Sequence, residues 1–405
     1  MTATVDWEHF GTHHWGKEPV RLPAGETPDP ERAFAVMTRA AAPFRAGTRA
    51  RAVPDVAFFT DAGRLRAPAG LLPGEDDADP AGYLARLDGE LGERGRLLSV
   101  EHPLLLDFPL WARTRELVTG LWEQVGWPAL PVTAELVIGD HGYARTDGLG
   151  LASGAAVLMW VLEGDVTVRL WRETGRAPAP CDPPDLELRG RAGDLLHWPA
   201  DHRPAEVFTG RCLVLRLAVR ADHRAAMSTV KNLLVDAAQH DPRYADDAVP
   251  FLPCPPPAEP DGRVALADPV QQAGTVVRQL SRSPELARTL RHQWAARRSA
   301  AALEPAPPPL PESSLGPRDR IRAVHEIVVM PDGPGRAVWA VNGHLLPVSG
   351  SAGERILRLL PAGAETSVDE LSRAIGAGER NDSVLALLRA LHRLRAIERT
   401  GKDTR

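Results

Sequence analysis

The sequence has little cysteine, little lysine and no long apolar run. Its 405 residues include three cysteines, too few and too scattered for a disulfide framework or a zinc cluster. Lysine occurs only at Lys17, Lys231 and Lys402, so arginine carries nearly all the positive charge. No stretch approaches the roughly 18 apolar residues that a membrane span needs, and the N-terminus lacks an apolar signal core. These absences predict a cytoplasmic protein with reduced thiols.

The overall composition is that of a folded protein. A hydrophobic fraction of 43% and a charged fraction of 25% exclude a disordered or fibrous chain. The length indicates two or three domains. The net charge of -5 provides no general basic field for nucleic acid or anionic lipid. Composition therefore favours partners other than nucleic acid and membranes.

Residues 1–222 have the pattern of a β barrel with helices around its N-terminal part. Short strand-like runs alternate with Gly/Pro turns, and several runs are almost entirely apolar, which is typical of strands buried on both faces. Leu110–Trp127 has helical spacing instead. The strand-like runs are Val56–Phe59, Ala134–Ile138, Ala155–Leu162, Val166–Trp171, Leu186–Leu188, Asp194–Trp198 and Cys212–Val219.

Residues 223–303 change to a helical period, interrupted by the proline-rich loop Pro250–Pro260. The second helical stretch is rich in arginine, which fits either a solvated face on a packing helix or a contact with nucleic acid. Residues 304–316, containing EPAPPPLPESS, predict a semi-rigid, solvent-exposed linker.

Residues 317–405 predict a small α+β domain. The run from Ser367 to Glu370 is a capping box that opens a helix ending at Gly376, and a second helix begins near Asp382. A strand-like IERT segment follows, which completes a winged-helix pattern. Such domains bind DNA in some proteins and contact proteins in others.

Three segments, in order, resemble the cupin-type JmjC oxygenases, in particular the branch that hydroxylates ribosomal proteins. They are Phe10–Leu22 (FGTHHWGKEPVRL), the strand–Gly–strand hairpin Trp160–Trp171, and Arg191–His202 (RAGDLLHWPADH). The resemblance implies a double-stranded β-helix barrel, a helical dimerisation segment and a C-terminal winged helix. It also implies a homodimer whose barrel mouth accepts an extended polypeptide.

The same resemblance implies an iron(II) centre of two histidines and one carboxylate with 2-oxoglutarate as co-substrate. Here the H-x-D positions, about thirteen residues before the hairpin glycine, fall on Leu151 and Ser153. The last ligand falls on Pro204, and the basic residue that meets the co-substrate falls on Val166. We therefore expect neither metal nor cofactor in the barrel.

An alternative is that the ligands have moved. The segment Gly139–Asp147 lies just upstream and contains His141 and Asp147, which with His202 would give a two-histidine, one-carboxylate set. A one-residue slip in strand register would invert which side chains point inward, so this alternative stays open. It predicts bound Fe(II) and 2-oxoglutarate.

Four side chains are candidate catalytic residues of the pocket: Asp147, His197, His202 and Arg216. His197 fits a core histidine as well as a ligand, and His202 fits a solvated turn as well as the pocket. Arg216 lies in an apolar strand and needs a carboxylate partner, for which Asp147, Asp201, Glu206 or a bound ligand qualify. His13 and His14 fit surface or packing residues rather than ligands.

The leading hypothesis is a JmjC-like protein that engages a polypeptide without iron/2-oxoglutarate chemistry. It would be a pseudo-oxygenase or catalyse a metal-independent peptide modification, with a natural-product or modified-peptide pathway as a plausible setting. The alternative is a peptidyl or ribosomal-protein hydroxylase with displaced ligands. A third hypothesis, a winged-helix regulator, predicts DNA affinity that falls steeply with salt.

Overall fold

The computed structural model describes residues 5–48, 53–145, 154–173, 182–239, 258–263, 268–361, 363, 365–375 and 381–402. The chain divides into two compact units. The first contains Met1–Ala221 and Ala295–Arg405, and the second contains Asp222–Trp294. None of the helices in the described ranges is both long and apolar enough to cross a bilayer.

The first unit is built on eleven antiparallel strands in two connected sheets. The larger sheet has the order β1-β9-β7-β11-β5-β4-β2-β3, and the smaller one joins β8, β10 and β6 through the second half of β7. These strands are β1 (Val20–Pro23), β2 (Asp55–Thr60), β3 (Gly63–Leu65), β4 (Arg96–Glu101), β5 (Val132–Asp140), β6 (Tyr143–Arg145), β7 (Ala155–Arg172), β8 (Leu186–Arg191), β9 (Asp194–Trp198), β10 (His202–Phe208) and β11 (Cys212–Arg220).

The two sheets meet at one end, which we call the closed end. There β5 turns into β6, β10 turns into β11, and β7 passes from one sheet to the other at Gly164. A Cβ at Gly164 would lie 1.8 Å from the Arg211 carbonyl oxygen, so only glycine fits this passage. The opposite end, the mouth, is where β4 ends at Glu101, β7 begins at Ala155 and β10 begins at His202.

Side chains alternate between the barrel interior and a layer of helices outside it. In β11, Val214 faces the interior, whereas Leu213, Leu215 and Leu217 pack in the outer core. Because both faces of the strand are covered, it is buried along almost its whole length, as its apolar composition predicts. The surrounding helices are α1 (Trp7–His13), α2 (Pro30–Arg45), α3 (Pro80–Leu91) and α4 (Phe108–Val125).

The second unit is helical. It contains α5 (His223–Gln239), α6 (Asp268–Arg282) and α7 (Pro284–Ser299) as far as Trp294. The sequence pattern predicts helix throughout the second stretch, but the structure has a break at Ser283. Pro284 causes it, because proline lacks the N–H that a helix interior needs and is favoured at a helix start.

The proline-rich segment predicted as an exposed linker packs against the C-terminal part of the first unit. The backbone N–H of Leu310 donates to the Arg393 carbonyl, and Arg393 Nε donates back to the Leu310 carbonyl at 3.1 Å. Arg395 donates to the carbonyl of Pro308 at 2.8 Å, and Pro307 is buried. Pro308, Pro311, Glu312 and Ser314 are exposed, as expected of a linker, but the backbone of the segment is held by hydrogen bonds to Arg393 and Arg395.

In the residues that the structure describes, the C-terminal part has two three-stranded sheets and three helices. The sheet orders are β16-β12-β17 and β13-β14-β15. Ser367 and Glu370 form the capping box expected from the sequence. The elements are β12 (Asp319–Ala323), β13 (Val328–Pro331), β14 (Arg336–Val341), β15 (His344–Ser349), α8 (Ser351–Leu359), β16 (Glu365–Ser367), α9 (Val368–Ala374), α10 (Asn381–Arg393) and β17 (Ile397–Lys402).

Candidate functional site in the barrel interior

Four charged side chains and one hydroxyl meet inside the barrel. Arg216 and Glu135 lie opposite each other on β11 and β5, and Glu206 and Arg145 lie opposite each other on β10 and β6. Ser99 joins them from β4. None of the five is more than 3% exposed. We call this group the interior charge cluster; it links the two sheets on the mouth side of the apolar interior.

The cluster is held by charge-assisted hydrogen bonds. Arg216 donates from Nη1 to Glu206 Oε1 at 2.6 Å and from Nη2 to Glu135 Oε2. Arg145 Nη1 donates to Glu135 Oε1 at 2.9 Å, and the Ser99 hydroxyl donates to the same oxygen. Glu135 thus accepts from three donors on three different strands, which fixes its position.

The charges within the cluster balance. Burial by itself would raise the pKa of Glu135, but the guanidinium groups of Arg216 and Arg145 hold it below its usual range. Burial by itself would lower the pKa of Arg216, yet Glu135 and Glu206 keep it above its usual range. Glu135 and Arg216 are therefore both ionised, and the cluster as a whole contains two carboxyl groups and two guanidinium groups, so its formal charges balance.

The positions predicted for iron and co-substrate that fall in the described residues carry no donor atoms. Pro204 lies in β10 two residues before Glu206, so the two share the interior face. Val166 is buried in the apolar interior. Leu151 and Ser153 lie outside the described residues, as does Asp147. Pro204 and Val166, the two predicted positions that the structure describes, therefore fit neither an iron centre nor a site for the 2-oxoglutarate carboxylate.

His202 lies at the mouth, at the first position of β10. It is 8% exposed, and its Nδ1 lies 2.8 Å from Asp201 Oδ1. Its spacing from Pro204 places it on the interior side of the strand. His202 is therefore the predicted pocket histidine that the structure puts nearest the barrel opening.

His197 faces away from the interior. Its ring stacks on Trp15 at a centroid distance of 5.3 Å and meets the edge of Phe10 at 5.1 Å. Nδ1 donates to the Val157 carbonyl at 2.8 Å. Burial lowers the pKa of His197 to about 4, so the ring is neutral at physiological pH. The structure gives it the geometry of a core histidine.

His141 and His202 are not brought together. The backbone N–H of Gly142 bonds to Phe208 at the closed end, whereas His202 begins β10 at the mouth. Six strand residues separate these ends, or roughly 20 Å. His141 instead joins Asp88 and Asp140, the one group of three potential metal-ligating residues found among the described residues. Arg96 already contacts both of these carboxylates, which accounts for the group as an ion-pair cluster.

Sequence reasoning missed the acidic row that leads to the cluster. Asp55, Glu101, Glu135 and Arg216 are successive partners across β2, β4, β5 and β11. Glu101 has no hydrogen-bond or ion-pair partner among the described residues. Burial, followed by the charges of Glu135 and Asp55, raises its pKa. The available signal was a glutamate in each of two largely apolar runs, at the end of LLSVE and in the middle of VTAELVI.

Comparisons with known proteins identify the fold. No family model matches the sequence, and no curated protein matches it. The structure of YcfD, a ribosomal oxygenase from Escherichia coli, in complex with cobalt and succinic acid is 18% identical, covers 98% of this chain and 99% of that chain, and has a TM-score of 0.51. The same oxygenase with cobalt and 2-oxoglutarate is 17% identical, with equal coverage and TM-score. The predicted JmjC/cupin fold is confirmed: this chain shares the fold of that ribosomal oxygenase along nearly its full length.

Proposed function

We propose that this protein is a JmjC-like barrel protein that engages a polypeptide without iron/2-oxoglutarate chemistry. The observation that carries the proposal is the interior charge cluster. It occupies the barrel beside Pro204, at the depth where the resemblance places the last iron ligand. Neither metal nor 2-oxoglutarate is part of the proposed activity.

The energetics of the cluster support this proposal. A divalent cation beside Arg216 and Arg145 would be repelled by two buried guanidinium groups. Recruiting Glu135 as a ligand would remove a partner from both Arg216 and Arg145, and breaking a buried pair in this way costs about 3–5 kcal/mol. The charges are already satisfied by one another, so they offer a metal little net attraction.

The alternative is a peptidyl or ribosomal-protein hydroxylase with displaced ligands. Its support is the full-length likeness to an oxygenase that was crystallised with cobalt and 2-oxoglutarate. Under this alternative, His202 at the mouth would supply one donor, and Asp147, which lies outside the described residues, would supply another. The two proposals make opposite predictions about metal content.

The experiment is to load the purified full-length protein with Fe(II) under anaerobic conditions and to measure bound iron, and then to admit O2 and measure succinate formed from 2-oxoglutarate. We expect no 2-oxoglutarate-dependent iron retention and no succinate above the protein-free rate. One equivalent of iron, lost in His202→Ala and accompanied by succinate release, would establish the hydroxylase instead.

We further propose that the polypeptide enters at the mouth, where Glu101 offers an unpaired carboxylate. A peptide array probed with the labelled protein tests this directly. Glu101→Trp should block the mouth and abolish peptide binding, whereas Glu123→Trp on the exposed face of α4 should leave binding unchanged. If Glu101→Trp bound peptides as well as Glu123→Trp does, the peptide would bind outside the mouth.

The second unit is proposed to form a homodimer, as the resemblance implies for residues 223–303. Its helices α5 and α6 line an apolar groove, with Met227 72% exposed and Val277 44% exposed. A second copy would cover these side chains. Met227→Glu with Val277→Glu should convert a dimer into a monomer in sedimentation equilibrium; a wild-type monomer would contradict the proposal.

The C-terminal elements α8, β16, α9, α10 and β17 are proposed to form a winged helix that contacts protein. The capped α9 followed by α10 and a trailing strand supports this assignment. Salt-sensitive retardation of random duplex DNA by the full chain, lost on removal of residues 316–405, would favour the DNA-binding hypothesis.

A further inference from the structure

Two histidines lie side by side on the exposed face of the N-terminal helix. His9 and His13 are four residues apart in α1, and both are exposed. Residues at this spacing lie on one face of a helix, about 5–6 Å apart at Cβ. Their rings are stacked, with centroids 4.2 Å apart and an interplanar angle of 27°.

The hydrogen bond made by His13 leaves it in the form that binds a metal. Its Nδ1 lies 3.0 Å from the His9 carbonyl oxygen, which can only accept, so Nδ1 carries the proton. In the neutral ring, Nε2 then has the free lone pair. Metal-ligating histidines characteristically donate their other ring N–H to a carbonyl or carboxylate, which orients the ring and increases its basicity.

His9 complements this arrangement. Its side chain makes no hydrogen bond among the described residues, so both of its ring nitrogens are available to solvent. The Asp6 carboxylate caps the same helix by accepting from the His9 backbone N–H at 2.9 Å, and adds negative charge near the ring pair. In the stacked arrangement the ring-plane lone pairs do not converge, but both side chains are exposed, so rotation about their side-chain bonds can turn a nitrogen of each ring toward one ion at about 2.0–2.1 Å.

We propose that His9 and His13 form a two-imidazole site for a divalent transition-metal ion such as Zn²⁺ or Ni²⁺, with water completing the coordination. Imidazole pairs spaced by four residues on a helix are an established zinc-binding arrangement, and imidazole suits zinc, nickel and copper. This site is on the outer surface and does not depend on the function proposed for the barrel.

The site also bears on the metal content of the whole protein. An ion held by α1 would be counted in any total metal analysis and mistaken for one in the barrel. The double variant His9→Ala/His13→Ala removes that contribution. Metal that remains in this variant belongs to another site.

The test is titration of the full-length protein with Ni²⁺ by calorimetry, with histidine ring signals followed by NMR. We expect one site in the wild type, with affinity reduced about tenfold or more in His9→Ala and in His13→Ala. His223→Ala, which removes a lone exposed imidazole, is the matched control and should bind as the wild type does. Paramagnetic broadening should affect the His9 and His13 rings first.

Two results would overturn the proposal. One is unchanged affinity and stoichiometry in the double variant, and the other is no Ni²⁺ uptake by the wild type. Because both side chains are exposed, the variants should retain the wild-type circular dichroism spectrum, and the binding comparison is then between equally folded proteins.

Discussion

The two halves of the barrel interior are stabilised in different ways. Toward the closed end the interior is apolar, with Phe208, Val137 and Val214 packed together. Two residues further toward the mouth on the same strands, the interior positions are Glu206, Glu135 and Arg216. A shift of two residues along these strands thus leads from a hydrophobic core to a buried network of balanced charges.

The difference shows what the mouth half is adapted for. Burial of apolar surface stabilises a protein without much directional preference, whereas buried ion pairs stabilise little on balance and instead favour one arrangement. In this barrel the ion pairs join β5 and β11 of one sheet to β6 and β10 of the other, and the Ser99 hydroxyl links β4 to them. We infer that the cluster fixes the spacing of the two sheets next to the mouth, where a bound polypeptide would need a constant opening.

The largest predicted effect is loss of the arginine at the centre of the cluster. Arg216→Met leaves Glu135 and Glu206 without their shared partner and should lower the free energy of unfolding by about 3–5 kcal/mol. In the apolar half, Phe208→Ala should cost a similar 3–5 kcal/mol through the cavity it leaves. The two variants should have nearly the same free energy of unfolding in urea at neutral pH.

The pH dependence of the free energy of unfolding should distinguish Arg216→Met from Phe208→Ala. In the folded wild type the pKa of Glu135 is lowered, so its contribution to stability is present above the unfolded-state pKa and is lost as the pH falls through the folded-state pKa. The deficit of Arg216→Met should therefore shrink below about pH 4.5, whereas that of Phe208→Ala should not change. A pH-independent deficit in both would mean that Arg216 acts only through packing.

A combined replacement tests whether the charges are needed for stability at all. Changing Glu135, Arg145 and Glu206 to leucine together with Arg216→Met removes every unpaired charge at once. Such apolar substitutions are often neutral or stabilising, so most of the stability lost in the single variant should return. The same protein should bind peptides less well if the cluster sets the opening.

The sequence predicted six of the eleven described barrel strands and their burial, but not β1, β3, β4, β6 and β10, and not the partners across the barrel. Alternation places Arg216 and Glu206 on interior faces, and a buried arginine requires an acid, so Glu206 could be named as a candidate. Glu135 could not, because it is 81 residues away along the chain and only the sheet order makes it a neighbour. Pro284 could have predicted the end of the preceding helix, but the sequence pattern was interpreted as one continuous helical stretch.

The contacts of residues 304–316 with Arg393 and Arg395 could not be predicted from the sequence, because the acceptors are backbone carbonyls, which every residue has. Asp147, Leu151 and Ser153 lie outside the described residues, so their predicted roles stay predictions. The fold as a whole was predictable because three short segments in the correct order carry its turns and strand ends.

A buried arginine in the barrel interior and a buried histidine on its outer face respond differently to pH. Inside, Arg216 is buried as an ion; outside, His197 is buried neutral, with its pKa lowered to about 4. A depressed histidine pKa means that the unfolded chain takes up protons first, so stability falls as the pH drops from about 6.5 toward 4. Between pH 7 and pH 5, His197 should account for about 2 kcal/mol of that loss.

His197→Asn tests this, since its amide can still donate to the Val157 carbonyl while no longer titrating. Its unfolding free energy should change less between pH 7 and pH 5 than that of the wild type. His325, whose pKa burial also lowers to about 4, should leave a residual slope in the variant. Identical slopes for variant and wild type would remove His197 as a source of the pH dependence.

The smallest predicted effect compares two glutamates that face each other across β4 and β5. Glu101 has a raised pKa, due first to burial and then to Glu135 and Asp55, so its charge opposes folding once the pH exceeds its folded-state pKa. Glu101→Gln should therefore raise the thermal midpoint at neutral pH, by about 1–2 °C. The same change in Glu135 should lower it, because Arg216 and Arg145 lose a charged acceptor. Opposite signs for one substitution on neighbouring strands would locate the boundary of the charge-balanced network between them; a stabilising Glu135→Gln would show that the network costs more than it contributes.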